Sequence, residues 1–143
     1  MTIEESIHIR VSKEVLFDYL MDVKNRKDYI PALEEVIMID PPPIRKGSKY
    51  IEVANIGGMR LETTYEVIRF QLNERITAKT QKSIFPIQAD LSLEENENGT
   101  LIMIQLDFKL AGPFRLASRI VSGIVRQQAR GILDNIKHEL ENS

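Results

Sequence analysis

The feature that most constrains this chain is its final segment, where Pro113 to Glu141 reads as one long amphipathic helix after a series of strand-like stretches. At roughly 100° per residue, Phe114, Ala117, Val121, Ile124, Val125, Ala129, Ile132, Ile136 and Leu140 share one broad apolar sector. A stripe of that length has to be covered, and the rest of the chain offers strands to cover it. Ser118 and Gln128 fall inside the same sector. A buried glutamine without a partner costs about 1–3 kcal/mol, so Gln128 is expected to meet water, backbone or a ligand. A sheet gripping this helix, with a pocket between the two, is the resulting expectation.

The strands are legible from two-residue alternation. Ile7, Ile9 and Val11 alternate with Ser6, His8 and Arg10 in a first strand starting near Ile3. Ser12 reads as the N-cap of a helix over Lys13 to Met21, with Val15, Leu16, Tyr19 and Leu20 as its apolar face, and a second short helix is expected over Asn25 to Ile30, ahead of Pro31. Val36 to Ile39 is a short strand stopped by prolines. Then Lys49 to Ile56, a Gly57-Gly58 turn and Met59 to Phe70 form a hairpin, and Arg75 to Gln81, Ile87 to Glu94 and Leu101 to Leu110 complete a meander. The order is strand, two short helices, six strands, long helix, read as a single domain over residues 1–143.

Parity then selects the inward side chains. Leu61, Thr63, Tyr65 and Val67 oppose Glu62, Thr64 and Glu66; Ile76, Ala78 and Thr80, then Ile87, Ala89, Leu91 and Leu93, and Ile102, Ile104, Leu106 and Phe108 face in by the same test. Small Ala78 and Ala89 leave space, because a solid core would need bulky partners opposite them. Asn55 shares parity with Ile51 and Val53, which suggests either a place near the pocket rim or a local role at the glycine turn.

Composition sets outer limits. The chain has 143 residues, 43% hydrophobic and 28% charged, with a formal net charge of −2. That length buries roughly two thirds of the unfolded surface, enough for a self-sufficient core. No apolar run reaches the ~18 residues a membrane span requires, and the acidic start lacks a signal-peptide core, so cytoplasmic residence is the default expectation. The absence of cysteine excludes disulfides, thiolate metal sites and cysteine nucleophiles. The balanced charge gives no general attraction for DNA, and nothing in the spacing calls for a cofactor.

The pattern as a whole resembles the helix-grip fold of the START/Bet v 1-like (SRPBCC) superfamily, nearest to its polyketide cyclase/dehydrase branch. The resembling residues are Ser12 to Tyr19 (SKEVLFDY), Asp22 to Pro31 (DVKNRKDYIP), the Lys46-Gly47 turn, Glu66-Val67, Gly99-Thr100 and the helix ending in Ile-Lys-His-Glu-Leu-Glu. Tyr29 stands where relatives often carry tryptophan. The resemblance implies an α+β fold in which a seven-stranded antiparallel sheet wraps around the long C-terminal helix, with two short helices after the first strand. It also implies a cavity for lipids, polyketides, steroids or other apolar molecules, and it leaves activity undetermined.

Catalytic groups are sparse. His8 lies on the outward parity of its strand and His138 on the far side of the last helix from Ile132 and Ile136, so both read as solvated. Glu62 and Glu66 share a face, but the outward one. Asp22, Asp28 and Glu34 lack histidine at metal-ligand spacing. Tyr65 is the strongest polar candidate in the pocket, since its phenol donates or accepts while the ring forms wall. A core tyrosine satisfied internally is the plainer reading. Ser118 and Gln128 could likewise cap water or backbone. Candidate lining residues are Thr63, Tyr65, Ala78, Phe85, Ala89, Ile104, Phe108, Ser118, Val121, Val125 and Gln128, with entry expected where the loops around Gly57, Ser83 to Pro86 and the start of the last helix converge.

Arg115, Arg119, Arg126, Arg130 and Lys137 occupy one narrow sector of the last helix. The plainer reading is a solvated face paired with carboxylates; the sharper one is a docking surface for an anionic partner such as a lipid headgroup, membrane or RNA. Three functions follow, in order of preference: non-catalytic binding of a small hydrophobic molecule, a cyclase or dehydratase that uses Tyr65 or a bound water, and a protein-interaction domain that uses the basic stripe.

Overall fold

A computed structural model describes residues 1–83 and 85–142. Seven strands form one antiparallel sheet: β1 (Thr2–Ile9), β2 (Leu33–Met38), β3 (Lys49–Ile56), β4 (Met59–Gln71), β5 (Arg75–Gln81), β6 (Ile87–Asn96) and β7 (Gly99–Phe108), in the order β1-β7-β6-β5-β4-β3-β2. All but one link in that order join sequence neighbours; the exception, β1 beside β7, puts the first strand at the edge opposite β2. The segment between β1 and β2 therefore has to cross from one edge of the sheet to the other. It does so as α1 (Lys13–Met21), a 3₁₀ turn at Val23–Asn25 and α2 (Arg26–Tyr29).

Local signals fix the ends of these helices. Ser12 caps α1 by accepting from the Val15 amide at 3.2 Å, and Asp22 accepts from Lys24 N at 3.1 Å to start the following turn. The face of α1 differs from expectation: Leu16, Phe17 and Leu20 are buried and Val15 is exposed, because the helix packs on β6 and β7 as well as on its own neighbours. Gly57 and Gly58, at φ +60° and +87°, form the two-residue turn of the β3–β4 hairpin.

The long helix begins later than its sequence suggests. Gly112–Ala117 is a 3₁₀ turn, and α3 proper runs Ser118–Glu141. Neither Ala111 nor Ala117 supplies a side-chain cap, so the stretch opens on Pro113 without the hydrogen bond that would settle it into α geometry. The C-terminal half of α3 carries the packing. Leu133 and Ile136 are fully buried with Ile9, Leu16, Phe17, Leu20, Leu93, Ile102 and Ile104. Leu133 lies outside the apolar sector drawn from the sequence; α3 packs on α2 as well as on β1, which widens its buried face. A second cluster gathers Ile44, Tyr50, Val67 and Ile76 under β3 to β5.

A bulge in β4 alters parity. Val67 pairs with Ala78, but Arg69 pairs with Thr77, so Ile68 is the extra residue. Odd positions face inward up to Val67, and Phe70 faces inward beyond it, opposite Ile76. Such bulges bend a strand and help the sheet curl around the helix.

Candidate functional site

Between the sheet and α3 lies a cavity of about 360 Å³. Its existence follows from two observations. In the β5–β6 register Ala78 stands directly opposite Ala89, so two methyl groups occupy ground that larger residues would fill. Meanwhile only the C-terminal half of α3 is clamped by the core, and in its N-terminal half Ile120 and Ile124 stay exposed at 69% and 49%. The cavity opens where the helix is least covered.

Of the residues singled out from the sequence, Tyr65, Ala78, Ala89, Ile104, Val125 and Gln128 line this space. Gln128 is exposed as well, so it meets solvent at the mouth and the expected burial penalty does not arise. Thr63, Phe85, Phe108, Ser118 and Val121 are not among the lining residues. Thr63 shares the inner face with Tyr65 but sits one pair nearer the β3–β4 turn, opposite Glu52. Phe108 is buried at the end of β7, opposite Ile87. Ser118 and Val121 are half-buried in the first turns of α3. Phe85 packs edge-on against Phe114, with centroids 5.1 Å apart, which brings the Ser83 to Pro86 loop to the start of the final helical segment; Ile84 of that loop lies outside the described residues. Asn55 is exposed and accepts from Gly58 N at 2.9 Å, a turn role rather than a lining one.

Sequence reasoning missed the polar floor of the cavity. Glu52 of β3 points inward and accepts from Nη1 of Arg26 in α2 at 2.8 Å. Arg26 is 8% exposed and its guanidinium carbon lies 4.6 Å from the Tyr50 ring centre. Tyr50 in turn stacks on Tyr65, with centroids 5.5 Å apart and planes 19° from parallel. Strand parity placed Glu62 and Glu66 on the outward face and named no inward carboxylate, and Glu52 is one. A signal for Glu52 was present: a two-residue turn at Gly57-Gly58 pairs Ile56 with Met59, which forces Glu52 opposite Thr63 and onto the face of Tyr65. Arg26 gave no such signal, since a lone cation on a four-residue helix ordinarily stays in water.

The electrostatics follow from this burial. Desolvation works against the charge on Arg26, but Tyr50, Glu52 and Tyr29 offset it, so the guanidinium is held above its ordinary value. Burial pushes the Tyr29 phenol up to about 12 against the opposing pull of Arg26. Burial, followed by the Glu52 carboxylate, also raises Tyr65. These phenols stay protonated near neutrality, where they serve as wall and hydrogen-bond partners but make poor proton donors in a reaction.

The other candidate groups lie elsewhere. The His8 ring, half-buried, is 3.2 Å from Asn96 Oδ1 in a solvent-facing contact, and His138 is exposed. Glu62 is exposed, while Glu66 accepts from Gln81. Among the described residues no group of three or more His, Cys, Asp or Glu is arranged to hold a metal ion, and no helix is long and apolar enough to cross a membrane. The basic stripe divides in two. Arg126 and Arg130 reach Glu5, Arg130 donates to Ser6 O, and Lys137 donates to His8 O and Glu141, which ties this part of α3 to β1. Arg115 and Arg119 are exposed, and neither has an ion-pair partner among the described residues.

Comparison with known proteins agrees with this architecture. The chain is similar in fold to Ara h 8.0201 (TM-score 0.75, 16% identity, covering 100% of this chain and 99% of that one). It is also similar to the ZhuI aromatase/cyclase of Streptomyces sp. R1128 (TM-score 0.78, 13% identity, 99% and 93% covered) and to a protein of unknown function from Staphylococcus aureus (TM-score 0.80, 12% identity, 99% and 94% covered). No curated protein matches by sequence. The family described as polyketide cyclase / dehydrase and lipid transport matches residues 1–141. With its seven-stranded sheet closed around a C-terminal helix, the chain belongs to that family and has the helix-grip fold of the START/Bet v 1-like superfamily.

Proposed function

We propose that this protein binds a small, largely apolar molecule in the space between the sheet and α3, without transforming it. The observation that carries the reading is the cavity of about 360 Å³, a size typical of small-molecule sites, whose lining is mainly aliphatic and aromatic. Its exposed lining at Ile124 and Gln128 offers a way in. Native mass spectrometry and solvent extraction of the purified protein test the proposal, together with titration of an apolar fluorophore such as aminoanthracene. Ala89→Leu, which places a branched side chain into the space shared with Ala78, is expected to weaken fluorophore binding while leaving the fold intact by circular dichroism. Failure of both wild type and variant to bind any apolar probe would refute it.

A catalytic reading has one observation in its favour: the Arg26–Glu52 pair sets charged groups against the cavity, and two structural neighbours are aromatase/cyclases by name. Against it stands the chemistry of the lining, in which the pair balances its own charge and the phenols are held above their ordinary values. Turnover of a polyketide-like substrate, abolished by Tyr65→Phe, would favour that reading. The unpaired end of the basic stripe supports a docking role: Arg115 and Arg119 flank Leu116 and Ile120, which are 94% and 69% exposed at the start of the final helical segment. Cations beside exposed aliphatic side chains suit an anionic lipid surface. Sedimentation with phosphatidylserine vesicles should fall when Arg115→Glu and Arg119→Glu are combined, and unchanged sedimentation would exclude this role.

A further inference from the structure

The charged pair on the cavity floor specifies more than apolarity. Arg26 and Glu52 both line the space, yet neither is fully used by the protein. A guanidinium carries five N–H donors; one is directed at Glu52 Oε2, the Tyr50 hydroxyl lies within hydrogen-bonding reach of the same group, and the buried Nε–H has no hydrogen-bond partner. On the other side, Glu52 Oε1 has no partner among the described residues, and the Glu52 side chain remains 19% exposed. Donor and acceptor capacity thus stand side by side against a volume whose other lining is mainly aliphatic and aromatic, with Asp90 and Gln128 as the further polar residues.

Three kinds of oxygen head group can be weighed against that arrangement. A carboxylate would accept from Arg26, but it would bring a second negative charge beside Glu52, and no other Lys or Arg lines the cavity to balance it. A ketone accepts from the guanidinium and offers nothing to Glu52. A hydroxyl does both, since one oxygen can accept from Arg26 while its hydrogen is donated to the carboxylate. Tyr50 and Tyr65 add no charge that would change this order, because burial keeps their phenols protonated.

We infer that the preferred guest is a neutral amphiphile whose hydroxyl group docks between Arg26 and Glu52, with its apolar body extending past Ala78 and Ala89 toward α3. The inference rests on the reading of the cavity as a binding site for apolar molecules and specifies its polar end.

The test displaces aminoanthracene from the full-length protein with decane, decanone, decanol and decanoate at neutral pH. Decanol is expected to compete roughly tenfold better than decane or decanone, with decanoate weakest of the oxygenated probes. Glu52→Gln keeps the size of the side chain and removes the negative charge, so decanoate should overtake decanol in that variant. Combining Arg26→Met with Glu52→Leu removes both polar groups together, and the advantage of decanol over decane should vanish. Equal competition by all four probes in the wild type, or decanoate leading there, overturns the inference even if the variants fail to fold. Absence of any aminoanthracene binding overturns the cavity reading itself, and the inference with it.

Discussion

Breaking the Arg26–Glu52 pair from one side should be far more damaging than removing it whole. The side chains are 10% and 19% exposed and meet at 2.8 Å, with the guanidinium face against Tyr50. Glu52→Leu strands a positive charge among aromatic rings, for which the expected loss is about 3–5 kcal/mol, a large part of the ~5–15 kcal/mol that stabilises a typical domain. Arg26→Met combined with Glu52→Leu exchanges the pair for apolar groups of similar reach and is expected to be within ~1 kcal/mol of wild type or more stable. Arg60–Glu62 supplies the contrast. It is nearly as short, at 3.0 Å, but both side chains are more than half exposed, so Glu62→Ala should change stability by no more than ~1 kcal/mol. The chain lacks tryptophan, so urea unfolding followed by far-ultraviolet circular dichroism is the suitable assay. The reasoning fails if Glu52→Leu costs no more than Glu62→Ala, or if the double variant loses as much as its two single variants added together.

Other consequences can be checked by the same unfolding measurements. Leu133→Ala removes a fully buried side chain from the main core cluster and should cost about 2–5 kcal/mol. Two glycines should respond in opposite directions. A Cβ at Gly99 would lie 2.2 Å from Ile9 O at φ +140°, so Gly99→Ala should destabilise by at least ~1 kcal/mol, whereas Gly123 in α3 has open space around it and Gly123→Ala should stabilise by about 0.5–1 kcal/mol. The Glu141 carboxyl is lowered to about 2 by its hydrogen bonds to Lys137 and the Arg10 amide. A carboxyl whose folded value is depressed stabilises the fold above its unfolded value and loses that contribution as pH falls. Stability should therefore decline between about pH 4.5 and 2, and Glu141→Gln should flatten that part of the profile relative to wild type.

Much of the fold was legible because its signals are local. Ser12 before an apolar helix, the Gly57-Gly58 turn and the alternation of Leu61, Thr63, Tyr65 and Val67 each act within a few residues of themselves, and each element formed where the pattern placed it. The small residues at Ala78 and Ala89 also signalled space on the inner face, and the register sets them opposite each other. Other assignments required information about neighbours. Val15 and Leu133 exchanged expected roles with solvent because burial depends on what packs alongside, which helical periodicity alone does not contain. Phe70 faces inward, against the odd-residue alternation that precedes it, because one extra residue, Ile68, shifts β4 against β5.

The amino-acid sequence by itself determined a helix needing cover, strands able to provide it and small residues that prevent a solid fit, since propensity and periodicity are properties of short stretches of chain. Only the tertiary structure decided that Arg26, twenty-six residues from Glu52 along the chain, comes to rest against it on the cavity floor. That encounter depends on the α1–α2 segment crossing from one sheet edge to the other, and an arginine stays buried only where a carboxylate and an aromatic face await it.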